Sequence, residues 1–396
     1  MPGRTDTSPC ITSLLEDTVT RTVPQRDLYI DRLRAAMTVL VLLHHTAITY
    51  GAVGGWFYYE LHPSGALSSI LLTMFSATNQ AYFMGFFFLL AGYFTPASLE
   101  RKGYARFLSD RLLRLGLPLF AFVFILAPLT VAMASSAQGH GFWTTIIWLW
   151  QHRQFINGPL WFVQALLIFS VAYCAWRKCF GMPLKSTLRL PRPVPTGIWW
   201  LLSALAVGAV ALAIRQVVPT GENIIGLQLG YFAGYVFFFA LGIAAWRYDW
   251  LRRLEWKHAR AWVITLVVVW PLLPTGIFLA RKLYGPGVSS FSGGLSWTAI
   301  LYAFWEPFVA WGLIAAWLLL FRARMNQLST FWAWLNRRAY AVYIIHPPVL
   351  VGITLLLQGW VAPALIKFGI TGAFTCAAAW LLADPLVRLP GIRQIV

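Results

Sequence analysis

The chain has 396 residues, of which 59% are hydrophobic and 11% charged, and a formal net charge of +18. A soluble domain of this composition would have too few polar side chains to cover its surface, so the chain is expected to lie in a lipid bilayer. The excess of cations would suit nucleic acid, but their placement along the chain points to membrane topology and to no nucleic-acid partner.

Residues 1–27 read as a polar tail. Asp6, Glu16 and Asp17 interrupt it and no apolar core is present, so it is not a signal peptide and is expected to be disordered. Ten apolar segments of spanning length follow, at about 28–50, 69–95, 112–134, 158–177, 197–218, 225–247, 260–280, 295–321, 338–360 and 367–386. The stretch 143–150 is too short to cross and is expected to rest at the interface. The fold class is therefore all-α and polytopic, with one membrane domain over 28–390 and a short end at 391–396. Lys and Arg alternate between the connections, with 26 on one side and five on the other (Arg153, Arg215, Arg281, Lys282 and Lys367). By the positive-inside rule the richer side, which includes both termini, is cytoplasmic.

The first span carries the polar groups that an anchor has no need of. Ionisable residues at membrane depth are costly and mark functional interiors by default. Arg34 and His45 are eleven residues apart, which brings them within about 20° of one helical face, separated by roughly 16 Å along the axis. Asp31 falls about 40° off the same line, and His44 points about 100° away from His45. His45 is either a histidine satisfied between helices or a general base tuned by its neighbours.

Arg111 and Arg114 open the third span three residues apart. They serve either as topology signals or as a bidentate clamp for a phosphate-bearing ligand. Gly92 in the second span reads as a close-packing position. Trp161 opens the fourth span, where it is either a belt residue or part of a site. Glu306 sits inside the eighth span and needs a partner or a proton, with Pro307 loosening the backbone beside it. His346 precedes Pro347 and Pro348, which are expected to break the local hydrogen-bond ladder. Both Glu306 and His346 read equally as structural kinks or as site residues. Cys10, Cys174, Cys179 and Cys376 lack metal-ligand spacing and read as packed thiols, so no metal site is expected. No nucleophile elbow, phosphate loop or metalloprotease motif is present.

These segments resemble acyltransferase family 3, the polytopic membrane acyltransferases of mainly bacterial envelopes. The resemblance runs from Tyr29 to about Pro390 and rests on IDRLRAAMTVLVLLHH, FFFLLAGYF, RLLRLGLPLF, GPLWFVQALLIF and AYAVYIIHPPVL. It implies a protein of the bacterial cell membrane that moves an acyl group, most often acetyl, from cytoplasmic acyl-CoA to a hydroxyl of a carbohydrate or lipid-linked glycan. It also implies that His45 is the catalytic histidine, Arg34 its partner, and Arg111 and Arg114 the holders of the CoA phosphates. Asp31, Glu306 and His346 follow with weaker roles.

Acyl-CoA would be a co-substrate, with no tightly bound cofactor. Members with a fused SGNH hydrolase-like domain differ from this chain, in which onward transfer would need direct access of the acceptor or a separate extracytoplasmic partner. His45 either deprotonates the acceptor or relays the acyl group. The rival readings are an exporter of a glycan or small molecule without chemistry, and a non-catalytic partner in glycan assembly.

Overall fold

A computed structural model describes residues 27–181, 192–285 and 291–395. The first 26 residues, which hold most of the expected tail, lie outside the described set. The described residues form helices and no strands. They comprise α1 (Leu28–Thr49), α2 (Leu67–Lys102), α3 (Tyr104–Ser136), α4 (Phe142–Gln151), α5 (Gly158–Cys179), α6 (Ile198–Arg215), α7 (Leu229–Arg247), α8 (Trp256–Val269), α9 (Leu272–Tyr284), α10 (Trp297–Arg324), α11 (Thr330–Leu356) and α12 (Ala364–Leu386). Among the described residues, nine helical units are long and apolar enough to cross a membrane, α8 and α9 counting as one. The tenth rod is α1, made less apolar by Asp31, Arg32, Arg34 and its two histidines. The chain is thus an all-α polytopic membrane protein. The stretch expected to rest at the interface forms α4, on which Trp143, Trp148 and Trp150 are exposed.

Local sequence explains most helix boundaries. Ser296 and Ser329 cap α10 and α11 by accepting from the backbone N–H of Ala299 and Trp332. Glu255 and His258 form a reciprocal cap on α8. Pro271 separates α8 from α9, because it lacks an N–H and restricts the residue before it.

Elsewhere the prolines behave differently from expectation. Helix α10 runs unbroken through Pro307, and α11 through Pro347 and Pro348. At Pro347 the His346 side chain takes up the Tyr343 carbonyl that the proline frees. The third span is longer than 112–134 and contains two π-helical turns, Leu112–Gly116 and Phe122–Leu126. Such turns are rare and cluster at functional sites.

The bundle is centred on α2 and its long pairing with α7. Gly92 and Gly242 make that pairing close. A Cβ at Gly92 would stand 2.1 Å from the Phe239 carbonyl oxygen, and one at Gly242 would stand 2.1 Å from that of Leu89. Only hydrogen fits on either side, so backbone meets backbone over about one turn. Helices α1, α11 and α12 form the adjoining wall, joined through Leu42, Val342 and Trp380.

Between α1 and α2 the chain folds back on itself. The N–H groups of Glu60 and Leu61 donate to the Thr49 carbonyl at 3.0 and 3.1 Å, and the Ser69 hydroxyl donates to the Gly51 carbonyl at 2.6 Å. This return lays Trp56 and Glu60 over the end of α1.

Candidate active site

Helices α1 and α11 each contribute one histidine to a common centre. The His45 and His346 rings lie 5.4 Å apart and 17° from parallel. The Trp56 ring completes the group, stacked 4.0 Å from His45 and 5.9 Å from His346. His346 is fully buried. His44 points to the other side of α1, as its position one residue earlier requires. There it meets Ser76 of α2 through Nδ1 at 3.3 Å and packs against Phe83.

The sequence around His346 fixes its tautomer. Pro347 has no N–H to give to the Tyr343 carbonyl one turn earlier. His346 Nδ1 takes that place at 2.6 Å. A carbonyl only accepts, so Nδ1 carries the hydrogen and Nε2 of the neutral ring carries a lone pair. His346 Nε2 is sealed from solvent and has no hydrogen-bond partner among the described residues, and the same holds for His45 Nδ1 and Trp56 Nε1. Three polar ring atoms at one buried centre, each without a protein partner, are unusual for a structural cluster.

The arginine-rich end of the bundle forms the second half of the site. Arg34 stands 3.9 Å from Asp31. Arg114 pairs with Asp110 at 3.2 Å, and Asp110 also accepts from Lys102 at 2.8 Å. The first π-helical turn of α3 begins between Arg111 and Arg114, so the two side chains part. Arg114 is exposed, while Arg111 folds inward over the Phe107 ring at 5.0 Å, and its Nε is buried without a partner in the chain. Both Arg34 and Arg114 are close enough to repel Arg111. The Tyr340 hydroxyl of α11 donates to the Arg114 carbonyl at 2.8 Å. A convergent set of guanidiniums with spare donors suits a polyanion. Rails of α1 (Arg34 to His45) and α11 (Tyr340 to His346) connect this mouth to the histidine centre, over roughly 16 Å and 9 Å of helical rise.

Glu306 is elsewhere. It pairs with Arg215 of α6 inside the membrane, and the Arg215 guanidinium lies over the Tyr231 and Tyr302 rings at 5.3 and 5.1 Å. Arg215 also donates to the Gly230 carbonyl at 2.9 Å. Trp161 is stacked on Tyr235, 5.2 Å between centroids, and so belongs to the packed interior. Asn157, in the same motif, donates to Gln164 at 2.8 Å and to the Gly226 carbonyl at 2.9 Å, which ties α5 to the chain before α7. Cys174 is buried and Cys179 exposed.

Three residues around the end of α1 have no motif in the sequence. Trp56 arrives from a loop. Glu60 and Lys367 form an ion pair whose side chains are 9% and 8% exposed. Beside them the Tyr50 and Thr371 hydroxyls meet at 2.9 Å. Lys367 could have been found as a lone cation on the side with few cations.

Residues 27–384 match a family model described as an acyltransferase domain. The chain is also similar to "Glucans biosynthesis protein C" of Salmonella gallinarum, 21% identical over 382 residues that cover 93% of this chain and 94% of the relative. The protein of the same name from Salmonella paratyphi A is 21% identical over 380 residues, with the same coverage. No solved structure matches the chain.

Proposed function

The chain belongs to acyltransferase family 3, and from that premise we propose that it transfers an acyl group from cytoplasmic acyl-CoA to a hydroxyl of a cell-envelope carbohydrate. The observation that carries this reading is the close pair of His45 and the buried His346, joined by two helices to a cationic mouth. Arg111 and Arg114 bind the CoA phosphates. Arg34, oriented by Asp31, lines the entry. The pantetheine arm then follows the α1–α11 wall, and its length suits the roughly 16 Å from Arg34 to His45.

At the centre His45 takes the proton of the acceptor hydroxyl as its oxygen attacks the thioester carbonyl, and the CoA thiolate leaves with a proton. General base catalysis and positioning suffice for a bond as activated as a thioester. In the relay variant a histidine nitrogen attacks first and the acyl group passes from it to the hydroxyl. The name of the relatives supports a glucan as the acceptor class, and acetyl is the favoured acyl group. Both termini face the cytoplasm of a bacterial cell, the protein sits in its inner membrane, and onward transfer involves either the acceptor itself or a separate extracytoplasmic protein. Glu306 is assigned to the scaffold, because its partner is Arg215.

The test is CoA release by purified protein given acetyl-CoA or succinyl-CoA with an envelope glucan extract. Release by the wild type that is lost in His45→Ala supports the reading. Neither release nor CoA binding, with glycan or small-molecule movement across vesicles, sinks it in favour of an exporter.

A further inference from the structure

A cavity remote from the histidines lies elsewhere in the bundle. It has a volume of about 520 Å³ and opens between α6, α7 and α10, near the ends that carry the arginine-rich connections. That volume is in the range of small-molecule and cofactor sites, roughly 300–1,000 Å³. Its wall is built from Trp199, Trp200, Trp250, Trp311, Leu318 and Ser203, with other apolar residues. Some polar atoms of this wall satisfy one another, whereas Trp250 Nε1 is buried without a hydrogen-bond partner among the described residues. Trp311 Nε1 donates to Ser203 Oγ at 3.0 Å, and Ser203 Oγ donates to the Trp200 carbonyl at 2.8 Å. Trp200 and Trp311 are stacked 4.7 Å apart, which stiffens that face. Such a wall is mainly apolar, with the Trp250 indole N–H as a spare donor, so it suits a ligand that is largely hydrocarbon better than a sugar or a nucleotide.

The rim has the opposite character. Arg192 immediately precedes the lining stretch Pro193–Thr196, and Arg252 and Arg253 flank the lining residues Leu251 and Leu254. Arg322 braces that second stretch by donating to the carbonyls of Leu251, Arg252 and Leu254. Arg252 is neutralised by Asp27 at 3.0 Å. Arg253 donates only to a backbone carbonyl, that of Arg192, at 3.0 Å, and the Arg192 guanidinium lies over the Tyr248 ring at 4.9 Å. Both side chains are exposed, and neither is paired with a carboxylate among the described residues. Asp249 and the Glu255–Lys257 pair complete the local charges.

We propose that this chamber is a binding site for an anionic phospholipid of the adjoining leaflet, with one acyl chain between α6, α7 and α10 and the headgroup phosphate on Arg192 and Arg253. Charge complementarity selects the occupant. A hydrocarbon wall beneath two guanidiniums at the membrane surface matches a molecule that is apolar at one end and anionic at the other. The bound chain extends the packing of α7, which α2 already holds through Gly92 and Gly242.

The experiment is native mass spectrometry of the delipidated full-length protein, titrated with phosphatidylglycerol or with phosphatidylcholine bearing the same chains. Wild type is expected to retain one phosphatidylglycerol molecule in preference to phosphatidylcholine. The Arg192→Ala/Arg253→Ala variant is expected to lose that preference, with affinity for phosphatidylglycerol reduced about thirtyfold. Ala315→Trp, which fills the chamber, is expected to bind neither lipid at this site. Equal retention of the two lipids by wild type would overturn the proposal. So would unchanged retention in the surface double variant, which stands as the test if Ala315→Trp fails to fold. Preferential retention of a polyprenyl phosphate or of a long-chain acyl-CoA over phosphatidylglycerol would also overturn it, and would make the chamber a substrate site.

Discussion

The Arg215–Glu306 pair allows a stability prediction with an internal control. Both groups are buried, at 1% and 8% exposure. A small internal cavity of about 30 Å³ adjoins them, large enough for about two waters. One nitrogen of Arg215 and one oxygen of Glu306 have no hydrogen-bond partner among the described residues. Removing one member of a buried pair leaves an uncompensated charge and costs about 3–5 kcal/mol, whereas replacing both with apolar or neutral groups of similar size is near neutral.

The two single variants are not expected to be equal. In Glu306→Gln the guanidinium keeps the Gly230 carbonyl and two tyrosine faces, and each desolvated cation–π contact is worth up to about 2 kcal/mol. In Arg215→Met the carboxylate keeps nothing of comparable strength. The expected order of stability is therefore wild type close to Arg215→Met/Glu306→Gln, then Glu306→Gln, then Arg215→Met. Denaturant titration in mixed micelles measures it. A double variant as unstable as Arg215→Met, or Glu306→Gln below Arg215→Met, would refute the argument.

Other predictions concern the site and the central helix pair. His45→Ala should lower acyl transfer roughly hundred- to ten-thousandfold while leaving CoA binding intact, as measured by CoA release and calorimetry. Arg111→Ala should raise the KM for acyl-CoA by roughly tenfold to over a hundredfold with a smaller change in kcat, since it removes charge-assisted donors to phosphate, and Arg111→Lys should recover only part. Gly242→Ala should destabilise by about 1–3 kcal/mol, because its Cβ would stand 2.1 Å from the Leu89 carbonyl oxygen, and thermal unfolding in detergent reads that loss. Trp56→Ala should reduce kcat without altering the KM for acyl-CoA, because it uncovers His45 while leaving the distant mouth unchanged.

Local pattern made the helices, the short α4 and the glycine contact legible, since each depends on hydropathy or side-chain size at nearby positions. The face shared by Arg34 and His45 was also legible, because helical geometry fixes it within α1. Long-range partners were not. Nothing near Glu306 announces Arg215, which lies 91 positions earlier, and nothing near Trp56 announces that its loop returns over α1. One global signal was nonetheless available. Five cations violate the alternation of charge, and two of them, Arg215 and Lys367, prove to be buried partners of Glu306 and Glu60. A cation on the side with few cations incurs the usual topological penalty, so a carboxylate that neutralises it is a physical expectation. The π-helical turn between Arg111 and Arg114 was not legible either, and it leaves Arg114 exposed while Arg111 folds over Phe107.

The two histidines are not equivalent, and the difference bears on the proposed reaction. Pro347 commits the Tyr343 carbonyl to His346 Nδ1, so a neutral His346 offers only Nε2 as acceptor or nucleophile, and its ring cannot turn without abandoning a buried carbonyl. No such hydrogen bond fixes His45 Nδ1, and His45 has Trp56 against its face. A group that must accept a proton from a mobile hydroxyl gains from rotational freedom, whereas a group that must hold one nitrogen in a set direction gains from being tied. His45 therefore fits the general base, and His346 fits either an orienting acceptor or the nucleophile of a relay. Acyl label trapped on the protein, retained in His45→Ala and absent in His346→Ala, would assign the relay to His346. The opposite pattern would place it on His45 and show that the tie at Tyr343 serves only to pack α11.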